Sequence, residues 1–541
     1  MASEENIGRP LGYASLIDFF RLEVPAPHHT SSVGPGARSS QVTATGVHET
    51  FPGQFWREPA EVVEQLVFAL KYDGVDLLIL RAVFERMGTE AIELALRESP
   101  TSAYLRRLWC LYEFLLGERL NLPDVDAGPY VALLEPERYV TRPGPKLRRF
   151  RVDFNLLGPD PGFCPIVRFT ELLREYEAQS QQDLASSAVH AIAPQDLQRA
   201  IRYLYVKETR ASFEIERATP SDRMERFVEA LFSHGARPTG SLWWGEEQLV
   251  ELAAAIINDP RFAPTQYRTH NVRVSEQRSL SLSERVHYVA PRHEDIRALM
   301  AAFVLAWQEH HLAPLHKPAP GAVVGADGRP YAIRTSCGDP FVDFVVAGCL
   351  SFGFVYLHPF SDGNGRIHRL IFNRVLSTTG FTPPEVVVPV SAAILHDPAG
   401  YDAALETFSK RIMPFIAFEI DDRTGELTVS NETAWLYRYP DLTAHVEALC
   451  GWFHTAVTTE LVEELNVLRA IDAAKAAMRD VVEMPDSRED LFLKLCVQSW
   501  RDGRGFVLSK TKRSLFAELT DDEVARLETA ISEAFSLVAR P

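Results

Sequence analysis

From Phe341 to Leu357 the chain reads FVDFVVAGCLSFGFVYL, an apolar run with one carboxylate and with Gly348, Ser351 and Gly353 set among its bulky side chains. Its length and composition predict a buried helix, and the small residues interrupt it too often for a membrane span. Further on, Ile367, Leu370, Ile371 and Val375 recur at helical spacing until Gly380, which reads as a C-terminal cap. Between the two runs lies His358-Pro359-Phe360-Ser361-Asp362-Gly363-Asn364-Gly365-Arg366-Ile367-His368-Arg369. The pattern predicts a helix-turn-helix corner.

Other periodicities frame that corner. Gln195 to Arg217 has helical spacing, with Ser212 and Glu216 four apart on one face. Between Tyr267 and Val289, Val272, Arg273 and Val274 and then Val286, His287 and Tyr288 alternate around a polar middle, the pattern of a β-hairpin. Ala290 to Asp295 caps a helix running to about His311. Towards the N-terminus, helices are expected over Pro59 to Tyr72 and Val75 to Arg97, after a Gly/Ser/His-rich stretch, His28 to Gly46, that reads as a flexible loop. Asp124 to Gly162 is rich in Pro and Gly with strand-like fragments. Its basic cluster, Lys146 to Arg151, reads as a solvated loop, with partner contact as the alternative. Towards the C-terminus come a short strand over Glu426 to Val429, amphipathic helices through Thr443 to Val482 and a closing helix from Asp521 to Phe535. No internal repeat is apparent. The reading is a mainly α chain in three parts: a mixed N-terminal region over 1–183, a central domain over 184–418 and a mainly helical region over 419–541.

Composition narrows the function classes. A chain of 541 residues with 46% hydrophobic and 10% aromatic residues has ample material for large cores. The net charge of −17 excludes nonspecific nucleic-acid binding as the main role, since phosphate backbones demand a basic surface. Cys110, Cys164, Cys337, Cys349, Cys450 and Cys496 are dispersed without CxxC spacing and read as buried free thiols. With neither a leader pattern nor an anchor, a cytoplasmic protein without membrane contact is expected.

The corner itself carries the chemistry. Gly363 and Gly365 allow backbone conformations closed to other residues, so successive N–H groups converge on one concavity, to which the next helix adds its unsatisfied amides. Such a nest binds anions. Arg366 and Arg369, three apart, share a face from which both reach a polyphosphate lying across the helix start. Asp362 would repel that polyphosphate unless a hard cation stood between them, and one carboxylate with phosphate oxygens and water is a usual holder of Mg²⁺. His358, just before the turn, is placed to accept a proton from an incoming hydroxyl. A histidine at a helix end and a Gly-Asn-Gly turn are each common punctuation. Their joint register is what points to a phosphate-handling site. Pro359 and Phe360 read as structural.

The string HPFSDGNGRIHR matches, at every defining position, the signature of the Fic domain family, HPFx(D/E)GNGRxxR, and the central part of the chain resembles that family. The resemblance implies a Fic-type helical core with a small β-hairpin flap, and an enzyme transferring AMP from ATP to a Tyr, Thr or Ser hydroxyl of a target protein. It implies that His358 is the general base and that Asp362 holds Mg²⁺ against the α- and β-phosphates. Asn364 and the amides of Gly363 and Gly365 would cradle the α-phosphate. Arg366 would face the β-phosphate side of the leaving pyrophosphate, and Arg369 would bind the γ-phosphate. Gly365 stands where Doc-like kinases of the family carry lysine, and Gly363 where the phosphocholine-transferring variant carries alanine.

Two upstream segments extend the resemblance. Ser212-Phe213-Glu214-Ile215-Glu216 is similar to the family's inhibitory motif (S/T)xxxE(G/N), whose glutamate pairs with the second arginine of the signature, although Arg217 departs from the last position. It implies an inhibitory helix over 195–217, with Glu216 on Arg369 and low basal activity. Thr219 to Asp222 then read as a capping box for the next helix. The hairpin over 267–289, with Val272, Arg273 and Val274, resembles the flap that pairs with the target backbone. Val390-Ser391 and Tyr401 fall where the family has residues near the adenine. The implied partners are ATP and an unidentified protein target, and homo-oligomerisation stays open. Two alternatives remain: removal of AMP from a modified protein at the same site, with Glu216 orienting water, and a nucleotide-gated regulatory binding protein.

Overall fold

The computed structural model describes residues 7–43, 46–190, 197–216, 245–257, 261, 263–277, 284–314, 323–324, 330–333, 338–383, 386–501 and 503–538. The protein is mainly α, with five small sheets among the described residues.

Pro340–Leu357 forms the apolar helix at its centre. Asp339 starts it, Oδ1 accepting from Phe341 N–H at 2.9 Å and Val342 N–H at 3.4 Å, and Pro340 fills a first-turn position that needs no donor. The helix is spanning-length but 83% buried inside the fold, so its apolar surface serves packing. Gly353 permits the closest approach: a Cβ there would lie 2.3 Å from Phe163 Cζ, so the phenyl ring rests against bare backbone. Asn364–Thr378 follows the turn, with Ile367, Ile371, Val375 and Leu376 buried, and closes just before Gly380 at φ +74°.

The packing divides into three main cores. The central one runs from Val140 to Leu468 and takes in the Leu197–Ile215 helix through Ala200, Ile201, Leu204 and Phe213. It therefore extends past residues 184 and 418 on both sides. On the far side the reason is the Thr443–Thr455 helix, whose Leu449 and Val446 press on Gly348 of the central helix. The N-terminal core gathers Tyr13 to Ile166 together with Tyr439, and a third joins Ala470 to Phe535. One helix, Leu461–Val481, belongs to two of these cores. At its root the Leu197–Ile215 helix is tied to the C-terminal side by Lys207 Nζ on Glu460 Oε2 at 2.9 Å and by Arg199 Nη1 on Asp472 Oδ1 at 2.7 Å.

Several expectations need correction. His28 to Gly46 is no loop: His29–Gly34 pairs in parallel with Gly46–Pro52, and Ser39–Thr43 antiparallel with the latter. Its small polar side chains hide the strand because they are satisfied inside, Ser31 Oγ donating to Asp73 Oδ1 at 2.5 Å. Val75 to Arg97 is two helices, Leu77–Arg86 and Thr89–Glu98, broken where Met87 turns extended and Gly88 caps the second. The basic cluster is solvated only in part: Lys146 and Arg148 are exposed, and the rest is engaged by the fold. Arg149 grips Glu113 at 2.8 Å and the carbonyls of Leu120 and Leu122, and Phe150 is buried edge-on to Trp109. Thr443 to Val482 is interrupted by a π turn at Ala456–Glu460, and a further helix, Asp486–Arg501, lies before the closing Asp521–Val538. Cys110, Cys164, Cys349, Cys450 and Cys496 are buried free thiols, whereas Arg217, Thr219 to Asp222 and Cys337 lie outside the described residues.

The hairpin is present as Arg273–Gln277 against Glu284–Val289, with Arg273 opposite Val289, Val274 opposite Tyr288 and an irregularity between Val274 and Ser275. Val274 is exposed and Val272 packs on the central core.

Candidate active site

The central helix ends on His358 in the left-handed conformation, φ 50° and ψ 56°, which for a side-chain-bearing residue costs about 1–2 kcal/mol. That turn carries the imidazole out of the helix. Its Nδ1 lies 3.0 Å from the Val355 carbonyl oxygen, which can only accept, so Nδ1 bears the proton and the Nε2 lone pair is free. Burial pulls the His358 pKa down to about 4, and Arg268 adds to the fall, while the Val355 bond and the Glu216 and Asp362 charges work against it. The side chain is a neutral base at pH 7.

The turn after it is pinned from within. Asn364 Oδ1 accepts from Phe360 N–H at 3.1 Å, and its Nδ2 donates to the Phe360 carbonyl at 2.7 Å. The Asn364 side chain is thus committed to the loop, and what it offers an anion is its backbone N–H. Gly363 caps the next helix at φ 86°, its own N–H given to Asp362 Oδ1 at 2.6 Å. The N–H groups of Asn364 and Gly365, at the helix start, meet no acceptor among the described residues.

The two arginines are in opposite states. Arg366, 4% exposed in its side chain, gives Nη2 to Asp362 Oδ1 at 3.0 Å and lies 5.0 Å from the centre of the Phe213 ring. Its Nε and Nη1 are buried without a hydrogen-bond partner. A buried guanidinium with two idle donors beside two open amides can receive an anion. Arg369 is saturated. Its Nε donates to Ser212 Oγ at 3.0 Å, and its Nη2 to the Ser212 carbonyl at 3.0 Å and to Glu216 Oε1 at 2.9 Å. Its Nη1 donates to Tyr401 Oη at 3.3 Å. Burial alone would lower its pKa, but Tyr401 and Glu216 outweigh it and the net shift is upward.

Glu216 does more than pair with Arg369. A Cβ built on Gly365 would stand 2.0 Å from Glu216 Oε1 and 3.1 Å from Oε2, so the carboxylate lies across the first turn of the Asn364–Thr378 helix. There a negative charge is favoured. On the Leu197–Ile215 helix Glu208 is buried, accepting from Ser391 N–H at 2.8 Å and Ser391 Oγ at 2.6 Å. Burial pushes its pKa up to about 7 against the pull of those bonds and of Arg369. Ser391, expected near a base, is therefore engaged by Glu208, and Tyr401 is engaged by Arg369.

Asp362 is exposed over 68% of its side chain, and nothing among the described residues bonds its Oδ2. One free hard oxygen next to the anion nest fits Mg²⁺ held jointly with phosphate. Among the described residues there is no group of three or more His, Cys, Asp or Glu able to bind a metal unaided.

Other residues were not legible as part of the site. His368 is buried, stacked on Tyr401 at 17°, with Nε2 2.9 Å from its hydroxyl and Nδ1 3.0 Å from Ser351 Oγ. Burial, then Arg369, holds its pKa well below the usual value. This neutral chain braces Arg369 from beneath. Arg268 is buried and donates Nε to the His358 carbonyl at 2.8 Å. Apart from the alternation around Tyr267, no local signal marks it.

Residues 243–376 match the model of the Fic/DOC family. A Fido domain-containing protein of Dictyostelium discoideum is 49% identical over 49 residues, 9% of this chain and 32% of that protein, so the chain matches about a third of the relative's length. A solved Fic family protein from Desulfovibrio desulfuricans aligns at 18% identity and TM-score 0.32, covering 57% of this chain and 80% of that one. A Fic domain-containing signaling protein from Bacteroides thetaiotaomicron aligns at 16% identity and TM-score 0.32, covering 54% and 97%. Ser212 and Glu216 precede the family match, and His358 to Arg369 fall inside it. The chain carries a domain of the Fic/DOC family.

Proposed function

We propose that the chain is a protein AMP-transferase that moves AMP from ATP to a Tyr, Thr or Ser hydroxyl of a target protein and is held back by Glu216 on Arg369. Fic domains are in general transferases acting on proteins. The observation that carries the reading is the pairing of a neutral His358, Nε2 free, with an Arg366 guanidinium buried with two donors idle.

His358 Nε2 takes the proton of the target hydroxyl as its oxygen attacks the α-phosphorus, and the bond from that phosphorus to the bridging oxygen breaks to release pyrophosphate. The open amides of Asn364 and Gly365 and the idle donors of Arg366 would meet the charge that grows on phosphate oxygens. Asp362 would hold Mg²⁺, which when bound neutralises phosphate charge. Arg369 would take the γ-phosphate once Glu216 leaves it. A second reading, removal of AMP, is favoured by one observation: the Glu216 carboxylate lies on the His358 side of the turn, where its charge works to raise the imidazole's pKa.

The test is ATP labelled at the α or the γ position, given to Glu216→Gly with Mg²⁺. AMP transfer puts only the α-label on protein. A γ-label on protein would mean kinase chemistry. No label in any variant, while wild type strips AMP from a modified protein, would leave the reverse reaction standing.

Two further outcomes are expected. In Arg366→Met the thioether lies against Phe213, so the unfolding midpoint should hold or rise, because an ill-satisfied buried charge is gone. ATP affinity in calorimetry should fall by about 2 kcal/mol, roughly thirtyfold, for the lost charge-assisted bonds. Unchanged affinity would remove Arg366 from the site. For pH, a base whose pKa is lowered to about 4 stays competent down to that value. In Glu216→Gly, where the Glu216 charge that supports the imidazolium is gone, the acid limb of kcat/KM should therefore lie at or below about 4 and not near the 6.5 of free imidazole. A limb at 6.5 would mean that His358 is not the base.

A further inference from the structure

Arg268 is 6% exposed and stands at the root of the hairpin. Its guanidinium bonds no carboxylate among the described residues. Instead it donates Nε to the His358 carbonyl at 2.8 Å, Nη1 to the His270 carbonyl at 2.8 Å and Nη2 to the Pro291 carbonyl, while its own backbone N–H donates to the Pro359 carbonyl at 2.9 Å. Burial pulls its pKa down to about 10, with no bonded anion to restore it. Packing gives no reason to keep such a charge, since an apolar side chain of similar volume would be at least as stable there.

The three acceptors explain the residue. His270 and Pro291 lie just outside the paired strands, one at each root of the hairpin, and His358 is the residue that ends the central helix in a left-handed turn. The carbonyl of His358 fixes the peptide plane following that turn, and with it the course of the chain around the imidazole. Only a planar fork of five donors reaches three divergent carbonyls together; a lysine ammonium is a point charge on a single stem. Tyr437 Oη on the Val289 carbonyl at 2.6 Å, and Tyr288 Oη on the Tyr356 carbonyl, hold the hairpin further along but touch neither His358 nor its neighbours in the loop.

We propose that Arg268 is a positioning residue that sets the hairpin and His358 in one register, so that a hydroxyl presented by the hairpin arrives in line with Nε2. The proposal rests on the transferase reading. It separates two properties: nucleotide binding, which involves the Asn364–Thr378 helix, and alignment of the acceptor, which involves the hairpin. Misplacement of reacting atoms by about 1 Å lowers rates about a hundredfold.

The experiment uses the full chain in the Glu216→Gly background, with self-labelling from α-labelled ATP as the readout. Arg268→Ala and Arg268→Lys should label about tenfold or more slowly, with KM for ATP and calorimetric ATP affinity within about twofold of the parent. Free guanidinium at millimolar concentration should restore part of the Arg268→Ala rate, and ammonium should not. An unchanged rate overturns the proposal, as does a loss of ATP affinity in step with the rate, and so does loss of folding in both variants. Absence of labelling in the Glu216→Gly parent would instead strike the transferase reading before Arg268 is tested.

Discussion

His358→Ala, made in a chain already freed of Glu216, is expected to slow AMP transfer about a thousandfold, inside the 10²–10⁴ that a positioned general base contributes. The imidazole is neutral and its Nδ1 proton is committed to Val355, which leaves Nε2 to take a proton. ATP affinity should be unchanged, because the groups assigned to phosphate are Arg366, Arg369, the amides after Gly363 and, through Mg²⁺, Asp362. Position 358 has φ 50°, a conformation that asparagine adopts more readily than alanine. His358→Asn is therefore the cleaner partner: it should fold as well as the parent and be as inactive as the alanine variant. Transfer within tenfold of the parent in both would end the role of His358.

Glu216→Gly should raise self-labelling about ten- to a hundredfold, the span of a coupling of about 1–3 kcal/mol. The carboxylate occupies one guanidinium edge of Arg369 and lies over Gly365, so a polyphosphate must displace it from two places at once. Because carboxylate and γ-phosphate compete, ATP affinity should rise with the rate by a similar factor. Ser212 would still bond Arg369 through its hydroxyl and its carbonyl, which leaves the guanidinium aimed and not loose. Equal rates in wild type and Glu216→Gly would sink the lock while leaving the transferase untouched.

What the sequence disclosed was local. The apolar run and the glycines of the turn define a helix-turn-helix within some forty residues, and His358, Asp362, Arg366 and Arg369 stand on that one corner. The Ser212 to Glu216 spacing was readable for the same reason: both face Arg369 because they are one helical turn apart. Contacts made across long separations were not readable. Arg268 meets a carbonyl ninety residues away, Glu208 finds Ser391 across nearly two hundred, and Arg149 is turned from a solvent residue into a largely covered one by Glu113. The strands over His29–Pro52 escaped notice because alternation between polar side chains carries no hydrophobic signal. Asn364 was read as a ligand because residue type alone cannot tell a phosphate donor from a loop clasp.

Gly365 has a single hydrogen where the Glu216 carboxylate rests, and the same opening is the approach to the helix amides. Resident and visitor thus depend on one absent methyl group. A larger residue there would displace the Glu216 carboxylate and narrow the approach to the helix amides in the same step, so position 365 offers no simple route to a freed Arg369. That route runs through position 216, whose carboxylate holds Arg369 Nη2 at 2.9 Å and stands outside the turn.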